Sequence, residues 1–573
     1  MTDPDCPLVL TGFMGVGKTT LGRRVAARAG AELIDLDALI EARHGSLEAL
    51  FQRGESTFRE LEERTLRELL SDASSGAKRR VIALGGGALL SRALRLWVLE
   101  RALVVCLRAS AEELTRRLTA SHEVRPLLRG RDPRARIEAL LEQRAASYGE
   151  AHHQLEVDGL AVDEAAEACL ALWQRPPVLV ASGLESYGVW VGHGLLAEQL
   201  PRLIRSLRPA VTGALWVTDE NVERHHGALR RGLARELGAP GGSENYRKEI
   251  DSSQGELASA GFRAEPEDSS VSLAVDRFRE ETAHVLAPGE EHKALAALAP
   301  LYQRCLEIGL DRRGLLLALG GGVVSDVTGF AAATWMRGVR WVGLPSTLLA
   351  MVDASVGGKT GVDLGAAKNA VGAFWQPSGV LCDVALLATE PERGLVSALA
   401  EVVKTALIGD PALLELLESE PPEAWRDPLR LAPVVERSVR VKARIVSLDP
   451  HERGPRAHLN LGHTLGHAVE AHGGYGRLTH GEAVSVGLVA ALRLGVRRGH
   501  TPAALATRVE ALLARLGLPT DPAAHQLGAA ARLIAHDKKR QGDRVRFVFV
   551  AAPGQVFTEA IPWAPLVDDA ATL

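Results

Sequence analysis

Between Arg456 and Glu482 the chain sets three histidines among small residues: His463 and His467 four apart in Gly462-His463-Thr464-Leu465-Gly466-His467, then His480 in His480-Gly481-Glu482. Side chains four apart on a helix project from one face. Such a pair with one further ligand can hold Zn2+ and leave a coordination position open. A lone histidine is ordinarily a surface or satisfied core residue. Three of them, with Arg456, Asn460 and Glu482 close by, point to a metal centre. The spacing leaves open which of His463 and His467 ligates.

A second set lies near the N-terminus. Leu8-Val9-Leu10 leads into Gly12-Phe13-Met14-Gly15-Val16-Gly17-Lys18-Thr19, the spacing of a loop that cradles phosphates between a strand and a helix. Gly12, Gly15 and Gly17 let backbone N–H groups wrap the phosphates, Lys18 reaches their outer oxygens, and Thr19 offers a hydroxyl to Mg2+. In Asp35-Leu36-Asp37, at the end of the strand-like Glu32-Leu33-Ile34, one carboxylate can sit near Mg2+ while the other accepts from a hydroxylated substrate. Arg59, Arg125 and Arg144 are candidates to clamp an anion or the transferring phosphoryl group.

These groups need rigid elements to hold them, and the chain is long enough to supply several. At 573 residues, two to four domains are expected. Up to about Trp173, apolar runs (Leu8–Leu10, Val81–Leu84, Leu103–Leu107) alternate with helical patterns, which predicts a parallel α/β sheet. Gln174-Arg175-Pro176-Pro177 breaks any helix and marks a linker. A second α/β run follows, with strands at Leu215–Thr218, Leu315–Leu319 and Trp341–Leu344. Beyond Thr389 helical periodicity dominates until Arg544–Val550, predicting a mainly helical third unit. The expected domains are 1–175, 178–388 and 389–573. Gly238–Ser272, rich in Gly, Ser and Glu, reads as a flexible surface insertion.

Composition is that of a soluble globular protein. A formal net charge of -4 leaves no basic excess for a nucleic-acid partner. The five cysteines are dispersed without a C-x-x-C pair, which fits a reducing cytoplasm. No basic, apolar leader opens the chain and no apolar run approaches a membrane span, so a cytoplasmic enzyme is expected.

The first unit resembles shikimate kinase along essentially its whole length. The resemblance rests on Gly12-Phe13-Met14-Gly15-Val16-Gly17-Lys18-Thr19, Asp35-Leu36-Asp37, Phe58-Arg59-Glu60, Leu84-Gly85-Gly86-Gly87-Ala88 and Val124-Arg125-Pro126-Leu127-Leu128. It implies that Gly12, Gly15, Gly17, Lys18, Thr19 and Thr20 bind ATP, with Mg2+ placed by Thr19 and Asp35. Asp37, Arg59, Gly86, Gly87 and Arg144 would bind shikimate, with Lys18 and Asp37 catalytic and Arg125 in a lid over ATP. The alternative is another small-metabolite kinase of the same loop type.

From Gly320 to Pro377 the chain resembles 3-dehydroquinate synthase almost continuously: Gly320-Gly321-Gly322-Val323-Val324, Met336-Arg337-Gly338-Val339-Arg340, Val352-Asp353-Ala354-Ser355-Val356-Gly357-Gly358-Lys359-Thr360-Gly361 and Lys368-Asn369. The histidine stretch and Glu401-Val402-Val403-Lys404 extend the match. Taken alone, Glu401 and Lys404 would read as a surface ion pair one helical turn apart.

The resemblance implies a Rossmann-like NAD-binding α/β domain followed by a helical metal-binding domain. NAD+ would be held by Asp219, Glu290, Lys293, Gly321, Gly322, Asp326, Ser346, Thr347, Asp353, Lys368 and Thr389. Zn2+, or Co2+, would be held by Glu401, His463 and His480, leaving His467 as an acid/base group. Arg337, Lys359 and Asn369 would bind substrate, and Lys359, Lys404, Lys442, Glu452, Arg456, Asn460 and Lys538 (or Lys539) would surround the reacting part. The implied reaction is an internal redox cycle. Hydride leaves C5 of a heptulosonate phosphate for NAD+, phosphate is eliminated and the hydride returns. Ring opening and aldol closure then give 3-dehydroquinate.

Ser325 and Ser346 stand where the family usually has glycine and threonine, and Pro450-His451 replaces an acidic–basic pair. The expected protein is therefore a kinase–synthase fusion acting on small molecules, with a homodimer through the synthase half. The rivals for that half are a related sugar-phosphate cyclase and a polyol dehydrogenase.

Overall fold

The computed structural model describes residues 6–71, 79–120, 132–238, 282–365, 367–474, 477–536, 540–541 and 543–573. Arg125, Lys538, Lys539 and the Gly238–Ser272 insertion beyond Gly238 lie outside them. The chain divides into two compact units, Met1–Trp190 and Val191–Leu573.

In the first unit five parallel strands form one sheet: β1 (Leu8–Gly12), β2 (Glu32–Asp35), β3 (Arg80–Ala83), β4 (Leu103–Arg108) and β5 (His153–Glu156), in the order β2-β3-β1-β4-β5. Every residue of β1 is buried, as expected of a central parallel strand covered on both faces. Alternate residues serve opposite cores. Leu8, Leu10, Val81 and Val105 enter one cluster, whereas Val9, Ile82, Val104 and Cys106 enter the other. The chain leaves β1 for β2 on one side and reaches β4 on the other, so a crevice opens at the carboxyl ends of the strands, where such sheets bind ligands. The glycine loop starts there. Gly12 has φ 133°, and a Cβ on it would lie 2.3 Å from the Leu107 carbonyl oxygen, so only glycine fits. Past Pro176-Pro177 a short antiparallel hairpin, β6 (Val178–Val180) and β7 (Tyr187–Gly192), begins, and Gly183 between its strands donates its N–H to Glu150 at 3.1 Å.

The second unit is built on β8 (Ala214–Asp219), β9 (Ala283–Leu286), β10 (Leu315–Gly320) and β11 (Arg340–Pro345). A separate antiparallel hairpin, β12 (Lys359–Leu364) and β13 (Ala367–Phe374), comes next and adds Val362 to the core, then β14 (Val380–Asp383). Strands β14-β11-β10-β8-β9 run parallel in that order. The apolar β10, Leu-Leu-Leu-Ala-Leu-Gly, lies buried at their centre.

The third region is helical as expected, with long buried helices Glu392–Gly409, Pro428–Leu448 and His480–Arg497 and the shorter His463–His472. Its end departs from expectation. The strand read at Arg544–Val550 is the middle of a three-stranded antiparallel sheet, β15 (Arg540–Gln541), β16 (Arg544–Ala552) and β17 (Gln555–Pro562). Helices His463–His472 and His480–Arg497 pack backbone to backbone. A Cβ on Gly487 would lie 2.1 Å from the Gly462 carbonyl oxygen, which fixes how closely the two histidine-bearing helices approach. Among the described residues no helix is long and apolar enough to cross a membrane. All five cysteines are unbridged, and Cys106, Cys169, Cys305 and Cys382 are buried.

Candidate active sites

The loop after β1 delivers Gly17 (φ 102°) to the start of helix Lys18–Ala29, whose N-terminus has no side-chain cap. Its orphan N–H groups therefore face the crevice, as an anion site requires. Lys18 Nζ folds back to donate to the Gly12 and Phe13 carbonyls at 3.0 and 2.9 Å. Thr19 Oγ1 donates to Asp35 Oδ2 at 2.7 Å. Asp35 ends β2 and caps the next helix by accepting from Ala38 N at 3.2 Å. Asp37 lies in the first turn of that helix, not on a strand, so the two carboxylates are separated by a change of element rather than by the alternation of a pleat.

Arg59 comes from helix Glu55–Ser71 and donates to Glu62 Oε2 at 2.7 Å and Glu55 Oε1 at 3.1 Å. Arg144, buried on helix Pro133–Gly149, donates to the Gly86 carbonyl at 3.0 Å, where Tyr148 also donates at 2.8 Å. Gly85–Gly87 follow β3, and a Cβ on Gly85 would lie 2.7 Å from Glu62 Oε1 and 2.8 Å from Asp37 Oδ1. Asp37, Arg59, Glu62 and Gly85–Gly87 thus converge, and Arg144 and Tyr148 brace Gly86 from the other side. Glu62 was not anticipated. Its spacing of three from Arg59 was the available signal, but only its burial, at 1% exposure, distinguishes it from a surface partner. Burial raises the Glu62 carboxyl to about 7 even against Arg59. Burial, reinforced by Asp35, also raises Asp37.

In the second unit Gly320–Gly322 join β10 to helix Gly322–Thr334, again without a side-chain cap. Lys293 Nζ and Asp326 are paired at 2.5 Å, with Glu290 3.8 Å from the same ammonium. Burial raises Asp326 to about 6 despite that lysine, while on Lys293 the acidic partners outweigh burial and the ammonium is raised. Asp219 accepts the Asn221 and Val222 N–H groups, both at 2.9 Å. Ser346 N donates to the Gly320 carbonyl at 3.0 Å, and Thr347 lies 3.4 Å from where a Cβ on Gly321 would sit. Thr389 Oγ1 is 2.7 Å from His226 Nε2, a partner that sequence reading had not singled out. Ser325, on this helix and 1% exposed, has no hydrogen-bond partner for its hydroxyl among the described residues.

Glu401 and Lys404, one turn apart on Glu392–Gly409, are each 1% exposed and form a buried ion pair, not a surface one. The long apolar stretches around them make this helix interior on nearly every side. Glu401 Oε1 lies 3.3 Å from both His463 Nε2 and His480 Nε2. One ligating atom from each of the three lies within 4.8 Å of the others, and among the described residues neither Glu401 oxygen has a hydrogen-bond donor of good geometry. A buried carboxylate so placed between two imidazoles fits a divalent cation. The His467 ring is 5.1 Å from His463 and 5.9 Å from His480, centroid to centroid. A second group, His467, Glu470 and His480, also meets the spacing for a metal.

Further cationic side chains come from the neighbouring elements. Lys442 pairs with Asp353, and its ammonium is lowered by burial. Lys359 on β12 pairs with Glu452, which also accepts from Asn460 Nδ2 at 2.8 Å. Arg456, 2% exposed, donates to the Gly357 carbonyl at 2.8 Å and to the Pro450 carbonyl. Lys368 on β13 donates to Glu470 at 2.7 Å, and the neighbouring Asn369 (φ 49°) donates its N–H to Asp363 at 2.6 Å. Arg337 (φ 67°) stands on an exposed turn after helix Gly322–Thr334. The β12–β13 hairpin and Glu470 were not anticipated. Glu470 lies three residues after His467, a spacing that could have flagged it.

Residues 14–173 match the family model for shikimate kinase, residues 283–397 that for the 3-dehydroquinate synthase N-terminal part and residues 398–540 that for its C-terminal part. The chain is 41% identical over 387 residues to a 3-dehydroquinate synthase of Caulobacter vibrioides, covering 66% of this chain and 94% of that one. It is 45% identical over 275 residues to one of Pelobacter propionicus, covering 48% and 77%. Among solved structures, 2-epi-5-epi-valiolone synthase from Streptomyces hygroscopicus subsp. jinggangensis, with NAD+ and Zn2+ bound, shares the fold. Its TM-score is 0.51 at 24% identity, over 67% of this chain and 96% of that one. With 94% of one such synthase covered at 41% identity and the synthase models falling at 283–540, the chain belongs to the 3-dehydroquinate synthase family and carries a shikimate kinase domain ahead of it.

Proposed function

We propose that the first unit transfers the terminal phosphoryl group of ATP to shikimate, and that the second converts 3-deoxy-D-arabino-heptulosonate 7-phosphate to 3-dehydroquinate and phosphate. In the kinase, Lys18 and the uncapped helix start hold the phosphates, Thr19 and Asp35 place Mg2+, and Arg59 and Arg144 hold the substrate against Asp37. Phosphoryl transfer requires positioning and charge stabilisation more than covalent chemistry, which suits this set.

The observation that carries the synthase reading is the Glu401-His463-His480 cluster, two of its members buried and Glu401 paired with Lys404, in the unit that also carries the Gly320–Gly322 turn. When bound, NAD+ supplies hydride exchange, and Zn2+ or Co2+ at the three ligands polarises a substrate hydroxyl. Gly321 and Gly322 let backbone N–H groups reach a pyrophosphate, and Lys293 with Asp326 closes that end of the site. Lys359, held by Glu452, and Arg456, held by two carbonyls, present fixed positive charge to a phosphorylated, carboxylated substrate. His467, one turn from His463, moves a proton. The domains are proposed as 1–175, 178–388 and 389–573, with a homodimer through the synthase half. The unbridged thiols support a cytoplasmic setting.

A polyol dehydrogenase would share the cofactor and the metal but has no use for so many cations. The two readings separate when the heptulosonate phosphate is supplied with NAD+ and Zn2+ and both phosphate and NADH are followed. Many turnovers of phosphate release on catalytic NAD+, without NADH accumulation, are expected. NADH rising in step with product would overturn the synthase reading.

A further inference from the structure

His480 is held from two sides. Its Nε2 faces Glu401 Oε1 at 3.3 Å, while its Nδ1 faces Glu470 Oε2 at 3.7 Å. The second distance is that of an ion pair, longer than a hydrogen bond, with the carboxylate facing the ring nitrogen. Glu470 does not lie free to drift: it is 8% exposed, on the same helix as His463 and His467, and its other oxygen accepts from Lys368 Nζ at 2.7 Å. Lys368 belongs to β13 of the β12–β13 hairpin, 102 residues earlier in the chain.

We propose that Glu470 is the positioning residue for His480, and that through Lys368 it ties the β12–β13 hairpin to the metal centre. A neutral imidazole carries one proton. With Nδ1–H donated to Glu470, the Nε2 lone pair is the one left to ligate, and the ring cannot turn about its Cβ–Cγ axis without losing that bond. Glu401 lies on the Nε2 side, so tautomer and ring orientation are set together. Lys368 holds the carboxylate that holds the ring, and the two interactions act in series. Perturbing the hairpin therefore changes metal affinity although none of its residues is a ligand.

The inference rests on the metal-centre reading, and the test separates the two. Zinc affinity of the full chain is measured by competition with a chromogenic chelator, with circular dichroism to establish folding. Glu470→Ala is expected to weaken zinc binding by about 10- to 100-fold. Glu470→Gln, whose amide oxygen still accepts from Nδ1–H but carries no charge, is expected to lose less than the alanine variant. Lys368→Met is expected to weaken binding as well, and the Lys368→Met/Glu470→Ala double variant to be no worse than Glu470→Ala alone, because both act through one chain of contacts. In the zinc-loaded wild type the His480 Nδ1–H proton should resonate downfield, and that resonance should shift in Glu470→Gln. Wild-type zinc affinity in folded Glu470→Ala, or additive effects in the double variant, would overturn the inference. A loss in Glu470→Gln as large as in Glu401→Ala would also overturn it, by making Glu470 a ligand. If Glu401→Ala and His480→Ala also keep wild-type affinity, the metal-centre reading itself fails.

Discussion

Thr19 donates to Asp35 across the crevice at 2.7 Å, joining the first turn of the helix after β1 to the last residue of β2. On the proposed reading, the hydroxyl and the carboxylate that would share Mg2+ are already in contact. Asp35→Asn keeps the shape and removes the charge. It is expected to lower shikimate phosphorylation about 10- to 100-fold and to raise the Mg2+ concentration needed for half-maximal rate, leaving phosphate release from the heptulosonate phosphate within about two-fold. Lys18→Ala should act in the same one-sided way. Loss of both activities in a folded variant would contradict independent units.

Replacing Glu401, His463 or His480 with alanine is expected to lower bound zinc, read by elemental analysis of the purified chain. His467→Ala should keep its metal and lose rate by about 10²- to 10⁴-fold. A full zinc complement in His463→Ala would reassign the site to the His467-Glu470-His480 group.

Glu62 gives the kinase unit a pH dependence of definite sign. Its carboxyl is raised by burial to about 7, above the ordinary value of 4.5, so the folded unit binds the proton more tightly than the unfolded chain does. The stability from that proton is fully present below pH 4.5 and is lost as pH rises through about 7, on the order of 3 kcal/mol in all. Hydrogen exchange of peptides from β1, β3 and β4 should therefore speed up between pH 5 and 7 beyond the chemical trend. Glu62→Gln should flatten that slope.

Gly487→Ala is expected to destabilise the synthase unit by about 1–3 kcal/mol, because the added methyl meets the Gly462 backbone and helices must part. Since those helices carry His463 and His480, zinc affinity should fall with stability. Denaturant titration and chelator competition on the same variant would check this. Lost stability with unchanged zinc affinity would show that the interhelix distance does not govern the centre.

Much of this was legible before the fold. Leu8–Leu10, Val81–Leu84 and Leu315–Leu319 are short, wholly apolar runs closed by glycines, the pattern of a strand buried on both faces. The phosphate loop and the three histidines announced themselves by spacing. Glu62 and Glu470 did not, because an acidic residue three positions from an arginine or histidine reads as a solvated pair until packing buries it. The β12–β13 hairpin was hidden by its own chemistry: Gly-Gly-Lys-Thr-Gly and Lys-Asn-Ala-Val-Gly carry the glycines and polar groups of a turn. β17, Gln-Val-Phe-Thr-Glu-Ala-Ile-Pro, keeps no strict alternation and buries only Ile561, so its hydrophobic signal is faint beside that of β16.

The placement of the cysteines has a practical consequence. Burial raises the Cys106, Cys169 and Cys305 thiols to about 12 and raises Cys382 as well, so at neutral pH these four are protonated and shielded from solvent. Cys6, just ahead of β1, alone is partly exposed. A maleimide dye added to the native, unsubstituted chain should therefore attach once, marking the kinase unit with a spectroscopic reporter without any engineering.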